Sequence, residues 1–227
     1  MLVAAAVCPP TPLVVLEMPD LRSACHTAIA ALREARPDTL IVVGGAETTR
    51  TYDATAAGTL RPWGVDVATG HGEPVLPLSL TVGRLLLDGS AAGGPGGHDP
   101  GGLQSVAFDT PALECLELGA KLAVAGERVA LLVVGDGSAC LSPRAPGKHD
   151  DAAGPFDDRI ADAIAGADSG ALAALDPAEA DRLWVSGRAA LQVLAGAAGV
   201  AGAGPFEGRL LMRAAPYGVG YFAGSWT

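Results

Sequence analysis

Aromatic side chains are scarce in this chain, at 4% of 227 residues, although hydrophobic residues make up 49%. Ala, Val and Leu must therefore fill the core, and small side chains let helices approach a sheet closely. Positive charge is also short: 15 Lys and Arg stand against 25 Asp and Glu, a net charge of −10. A duplex-binding surface needs a basic stripe to neutralise phosphates, so neither nucleic acid nor an anionic membrane is an expected partner. Cys8, Cys25, Cys115 and Cys140 show no CxxC spacing, and reduced thiols are the expectation. No apolar run reaches the roughly 18 to 20 residues of a membrane span. Met1 to Val7 is apolar but lacks a basic segment before it and is too short for a signal sequence. A cytoplasmic protein with a buried first strand is expected.

Strand and helix patterns alternate along the chain. Leu2 to Cys8, Thr39 to Gly44, Leu103 to Phe108 and Arg128 to Val134 are apolar runs of the kind found in central strands covered on both faces. Helical periodicity marks Asp20 to Arg36, with Leu21, Cys25, Ala28, Ile29 and Leu32 on one face. Further helices are expected at Leu78 to Leu87, from Asp109 to about Ala125, and at Pro155 to Ala167. In the second of these Asp109 is an N-cap candidate, and Leu113, Leu116, Ala120 and Ala123 point inward. Asp176-Pro177-Ala178-Glu179 is a capping box that opens a helix running to about Ala197. Gly208 to Ala214 and Val219 to Ala223 read as final strands. The stretch Glu47 to Pro77 has no clear period, beyond a short strand at Val65 to Ala68. Seven glycines between Gly89 and Gly102 mark a mobile surface loop. The whole chain, 1–227, reads as a single three-layer α/β domain with a mostly parallel or mixed central sheet flanked by helices.

Three motifs carry a family resemblance. The first strand ends in Cys8-Pro9-Pro10-Thr11-Pro12, a later one in Gly135-Asp136-Gly137-Ser138-Ala139, and the chain closes with Ala215-Pro216-Tyr217-Gly218-Val219-Gly220-Tyr221-Phe222. In that order they resemble the class III extradiol ring-cleavage dioxygenases, in particular compact actinobacterial proteins similar to their catalytic B subunit. The resemblance implies a B-subunit-like α/β fold and a cleft at the carboxyl ends of the strands. It also implies Fe(II) held by two histidines and a carboxylate, with another histidine as acid/base. Here the implied ligands are replaced. Pro10 stands at the first histidine, Gly45 to Thr49 contains none, and Ala139 follows Ser138 where the acid/base histidine is expected. Proline and alanine neither ligate iron nor carry a proton.

The residues left to line such a cleft are Cys8, Pro10, Glu47, His71, Asp136, Ser138 and His149. Cys8, Glu47 and Asp136 sit at strand ends and are the weak candidates for a divalent metal with mixed ligation. Plain structural roles take precedence for them, because no two show a recognised ligand spacing: a buried thiol for Cys8, a solvated carboxylate for Glu47, a turn-bonding carboxylate for Asp136. No cofactor and no catalytic residue is expected. The chain reads as a binding or scaffold protein on a degenerate dioxygenase fold, with an unidentified small molecule or protein as partner and self-association open. The alternatives are a metal-dependent enzyme of altered chemistry, or an active extradiol dioxygenase with non-standard ligands.

Overall fold

The computed structural model describes residues 1–90 and 100–227. The chain opens with β1 (Leu2–Cys8), a short helix α1 (Leu13–Leu16), the long helix α2 (Pro19–Glu34) and β2 (Thr39–Ala46). Short strands follow: β3 (Arg50–Tyr52), β4 (Ala56–Thr59), β5 (Ala68–Thr69) and β6 (His71–Pro74), with a 3-10 turn at Arg61–Trp63. Next come α3 (Leu78–Gly89), β7 (Gly102–Ala107), α4 (Ala112–Ala123) and β8 (Val129–Val134). Helices α5 (Ala153–Gly166), α6 (Ser169–Ala173), α7 (Pro177–Arg182) and α8 (Arg188–Ala198) precede the hairpin of β9 (Gly208–Ala214) and β10 (Tyr221–Trp226).

The apolar runs become the middle of a seven-stranded mixed sheet, in the order β3-β7-β2-β8-β1-β10-β9. Strands β7, β2, β8 and β1 are mutually parallel; β3, β10 and β9 pair antiparallel with their neighbours. Side chains alternate between the two faces, as period-two geometry requires. Ala5, Val7, Ile41, Val43, Leu131 and Val133 pack with Phe156 and Ile160 of α5 and Leu191 and Leu194 of α8. Ala4, Ala6, Val42, Ala130 and Leu132 pack with Leu21 and Ile29 of α2 and Leu80 and Val82 of α3. The result is a three-layer α/β domain. No helix among the described residues is long and apolar enough to cross a membrane.

Several local expectations change. Of the expected strand at Val65 to Ala68 only Ala68 pairs, as the first residue of β5, with irregular chain at 65–67; Glu47 to Pro77 also builds β3 at the sheet edge and the small sheet β5-β4-β6. Asp109 does not cap α4: Pro111 occupies the N-cap without a side-chain bond. The inward face of that helix is Cys115, Gly119 and Ala123, while Leu113 is 67% exposed. The helix contacts α8 through glycine, so the apolar periodicity misplaced its buried stripe by about a quarter turn. Asp176 does cap its helix, accepting from the amide of Glu179 at 2.7 Å. That helix ends at Arg182, however, and α8 begins afresh at Arg188. Of the glycine-rich run read as a loop, Gly89 ends α3 and Gly102 begins β7; residues 91–99 lie outside the described residues.

The α4–α8 pair shows how a chain poor in aromatics packs. A Cβ on Gly119 would sit 1.9 Å from the Val193 carbonyl oxygen, and one on Gly196 would sit 2.1 Å from that of Leu116. Backbone meets backbone, and no rotamer change relieves such a clash. Gly119→Ala should therefore lower stability by about 3 kcal/mol, the upper end of ordinary overpacking. Gly154→Ala in α5, where nothing lies within 4 Å, should be neutral or stabilise by up to about 1 kcal/mol. Urea unfolding midpoints of the two variants against wild type measure the contrast.

Candidate functional site

Parallel strands deliver their carboxyl ends to one edge of the sheet, where the following loops leave room for a ligand. Here β1, β2 and β8 end side by side, and a cleft of about 850 Å³ opens over them. After β1 the prolines Pro10 and Pro12 line one wall with Thr11 between them. Pro fixes φ and offers no amide hydrogen, so this wall is stiff and poor in donors. At the end of β2, the Ser79 hydroxyl of α3 donates to the Gly45 carbonyl at 2.7 Å. A Cβ on Gly44 would strike Ser79, and one on Gly45 would strike Phe108 and the Ser186 carbonyl. The glycine pair therefore admits the cleft's opposite walls.

The turn after β8 carries the polar centre. Gly135 lies against Gly187: a Cβ on Gly187 would sit 2.3 Å from the Asp136 carbonyl oxygen and 2.6 Å from its amide nitrogen. This contact lays the 183–187 connector across the strand end. The Asp136 carboxylate, partly exposed in the cleft, accepts from the Ser186 hydroxyl at 2.5 Å. Burial pushes its carboxyl up to about 7, against a lowering by the Ser186 hydroxyl, and the charge of Asp157 raises it further.

Asp157 is not among the site residues singled out from sequence. It lies on α5, fully buried, and its Oδ1 accepts from the Ser138 amide at 2.7 Å. The turn-bonding role expected of Asp136 is shared: its own carboxyl is lowered by the Asp136 and Gly187 amides, while Asp157 takes the Ser138 amide. Among the described residues the Oδ2 of Asp157 has no hydrogen-bond partner. Gly137 and Gly220 surround it so closely that a Cβ on either would collide with the carboxyl. Burial pushes this group up to about 6, with the Ser138 amide opposing. A buried aspartate at the fifth position of a helix that follows a loop leaves no periodic signal; the two facing glycines are the feature that hints at it.

The connector between α7 and α8 supplies the third wall. Trp184 is held at φ 53, left-handed for a bulky residue, and is 58% exposed at the cleft. Such a conformation costs on the order of 1–3 kcal/mol and persists where the surroundings enforce it. Here the Leu183 carbonyl is held by the Ser138 hydroxyl at 2.7 Å and the Ala139 amide at 3.2 Å. Arg188, buried at the start of α8, donates to the carbonyls of Thr110 and Phe108, both at 2.5 Å, and to Gln192 Oε1 at 3.1 Å. These bonds fix the loop that presents Phe108. Across the cleft, burial raises the Tyr221 phenol, with Thr11 beside it acting the other way.

Of the seven residues singled out from sequence, Pro10 and Asp136 line the cleft. Ser138 is buried beneath it, its hydroxyl also accepting from the Cys140 amide at 3.0 Å. Cys8 is fully buried in the core and does not line the cleft; Cys25 of α2 beside it and burial both push the Cys8 thiol up. Glu47, His71 and His149 are exposed and do not line the cleft. The mixed-ligand site drawn from Cys8, Glu47 and Asp136 is therefore not assembled. Among the described residues no group of three or more His, Cys, Asp or Glu is placed to hold a metal ion. With Pro10 and Ala139 in the cleft wall, this donor set does not fit the Fe(II) centre that the dioxygenase resemblance implies. Phe108, Trp184, Ser186 and Arg188 line the cleft and were missed, because three of them belong to a helix break and its exit that the capping box concealed.

No family model matches the chain. No curated protein matches it either. Among solved structures, the chain is similar to the crystal structure of the uncharacterized protein JW3007 from Escherichia coli K12, with a TM-score of 0.59 and 14% identity over 98% of this chain and 99% of that one. At that identity the likeness concerns the fold.

The two raised carboxyls each contribute a pH response. Ordinary Asp titrates near 3.9, so from about pH 4 up to its folded value each of them holds its proton more firmly in the folded chain than in the unfolded one. Stability contributed by the protonated groups is then complete below the unfolded value and falls as pH rises through about 6 for Asp157 and about 7 for Asp136. Asp136→Asn removes its share. The thermal midpoint of the variant relative to wild type should rise from pH 4 to pH 8. A difference that stays flat across that range would mean that Asp136 is solvated.

Proposed function

We propose that the chain is a small-molecule-binding protein on a degenerate extradiol-dioxygenase-like fold, without ring-cleavage chemistry. The observation that carries this reading is the cleft itself. It lies at the carboxyl ends of β1, β2 and β8, its walls are largely apolar, and a few polar groups converge in it: Thr11, Asp136, Ser186 and Tyr221. That combination describes small-molecule sites in general. Pro10 and Ala139, the positions at which the resemblance implies histidines, stand in its lining as hydrophobic wall. A ligand would take up the apolar surface they offer.

A second reading is favoured by Asp136 alone. A carboxyl that exchanges its proton near neutrality, in a cleft and bonded to a serine, is suited to acid/base work. This would be an enzyme of altered chemistry without metal assistance from Cys8, Glu47 or His71, which lie apart from Asp136. Loss of an observed turnover in Asp136→Asn with ligand affinity retained would select this reading over simple binding.

The binding reading is tested by a thermal-shift screen of small aromatic and aliphatic compounds. Hits should raise the midpoint by several degrees, as expected for ligand at about 100 times its Kd. Filling the cleft by Ala139→Phe should abolish the shift. Hits indifferent to that change but sensitive to Trp63→Ala, on the exposed 3-10 turn, would place binding elsewhere and overturn the proposal. Protein incubated anaerobically with Fe(II) should yield no ring-fission product from protocatechuate or catechol on admission of oxygen; robust product would restore the dioxygenase.

A further inference from the structure

We infer that the cleft takes a protonated amine carried on an apolar body. This rests on the binding reading above and names the ligand's charge.

Three carboxylates line the cleft: Asp136 at its centre, and Asp109 and Asp181, both exposed. Among the described residues Arg188 is the one cationic side chain in the lining, and its terminal nitrogens are turned onto the Phe108 and Thr110 carbonyls and the Gln192 side chain. Among the described residues it has no carboxylate partner, so it neutralises none of the three. An anionic ligand would meet uncompensated negative charge. A cationic one would supply the charge that the desolvated Asp136 lacks.

The rings give an independent reason. In a chain with only 4% aromatics, Phe108, Trp184 and Tyr221 all line this one cleft. Aromatic faces attract cations through their quadrupole, Trp most strongly, and the effect grows where water is excluded. Trp184 is presented outward by its left-handed backbone instead of being tucked into the core. A metal ion is a poorer match than an organic cation. No three ligating groups converge among the described residues, and the apolar walls of Pro10, Leu78, Val134 and Val185 have no use for a bare ion.

Isothermal titration of the whole protein at pH 7.5 with three matched probes tests the inference: 2-phenylethylamine, 2-phenylethanol and 3-phenylpropionate. The amine should bind at least about tenfold more tightly than the alcohol, the size of one favourable charge contact, and the carboxylate most weakly. Asp136→Asn should erase the preference, bringing the amine's affinity to within about twofold of the alcohol's. Trp184→Ala should weaken the amine several-fold, and Trp184→Phe should restore most of the loss. Near-UV circular dichroism establishes that each variant is folded. If the alcohol or carboxylate binds as tightly as the amine and Ala139→Phe blocks all three, the inference falls while the binding reading stands. If the amine does not bind at millimolar concentration, the inference also falls; if the compound screen is then blank as well, the binding reading falls with it.

Discussion

Gly135 at the end of β8 and Gly187 at the start of α8 press backbone against backbone, and neither tolerates a Cβ without striking the other segment. The contact holds the 183–187 connector over the end of the central strand. From that placement follow the Ser186 bond to Asp136, the hold of Ser138 and Ala139 on the Leu183 carbonyl, and the left-handed turn at Trp184. Gly137 and Gly220 repeat the device one step deeper, where they close around the Asp157 carboxyl. The polar centre of the cleft is thus built on the absence of side chains.

The sheet was readable because its signal is local. A parallel strand buried on both faces is a continuous apolar run, and β1, β2, β7 and β8 announce themselves in that way. Helix α2 was equally plain, since its buried face is made of Leu21, Cys25, Ile29 and Leu32 at helical spacing. Helix α4 was not, because its contact surface centres on Gly119, which scores as no hydrophobe at all. The region after β2 escaped for a related reason. Its strands are two to four residues long, shorter than any periodicity can resolve.

The candidate site divides in the same way. Asp136 was visible as a charged residue in a glycine turn at a strand end, and Pro10 through the motif in which it stands. Asp157, Trp184, Ser186 and Arg188 reach the site only through tertiary contacts. The capping box at Asp176 argued for a helix through all of 177–197, since Ala and Leu are its commonest residues and favour it. The break falls at Trp184-Val185-Ser186-Gly187, a run of weak helix formers, where Gly187 lies against the turn after β8. The likeness to JW3007 at 14% identity bears on the architecture and adds nothing to the assignment of these side chains.

The break between α7 and α8 has a further implication for how such a cleft changes over generations. The close backbone contacts of Gly119 and Gly196 between α4 and α8, and of Gly135 with Gly187, tolerate little alteration. The five residues of the connector carry no sheet pairing of their own. They set one wall of the cleft through Trp184, Val185 and Ser186, while Leu183 and Gly187 anchor them at either end. Substitution at Trp184 or Ser186 would reshape that wall without touching the anchors, whereas Val185, buried in the core, faces both the cleft and the packing beneath it. The shape of the cleft and the stability of the fold thus overlap at one letter of this short segment and separate at its two neighbours.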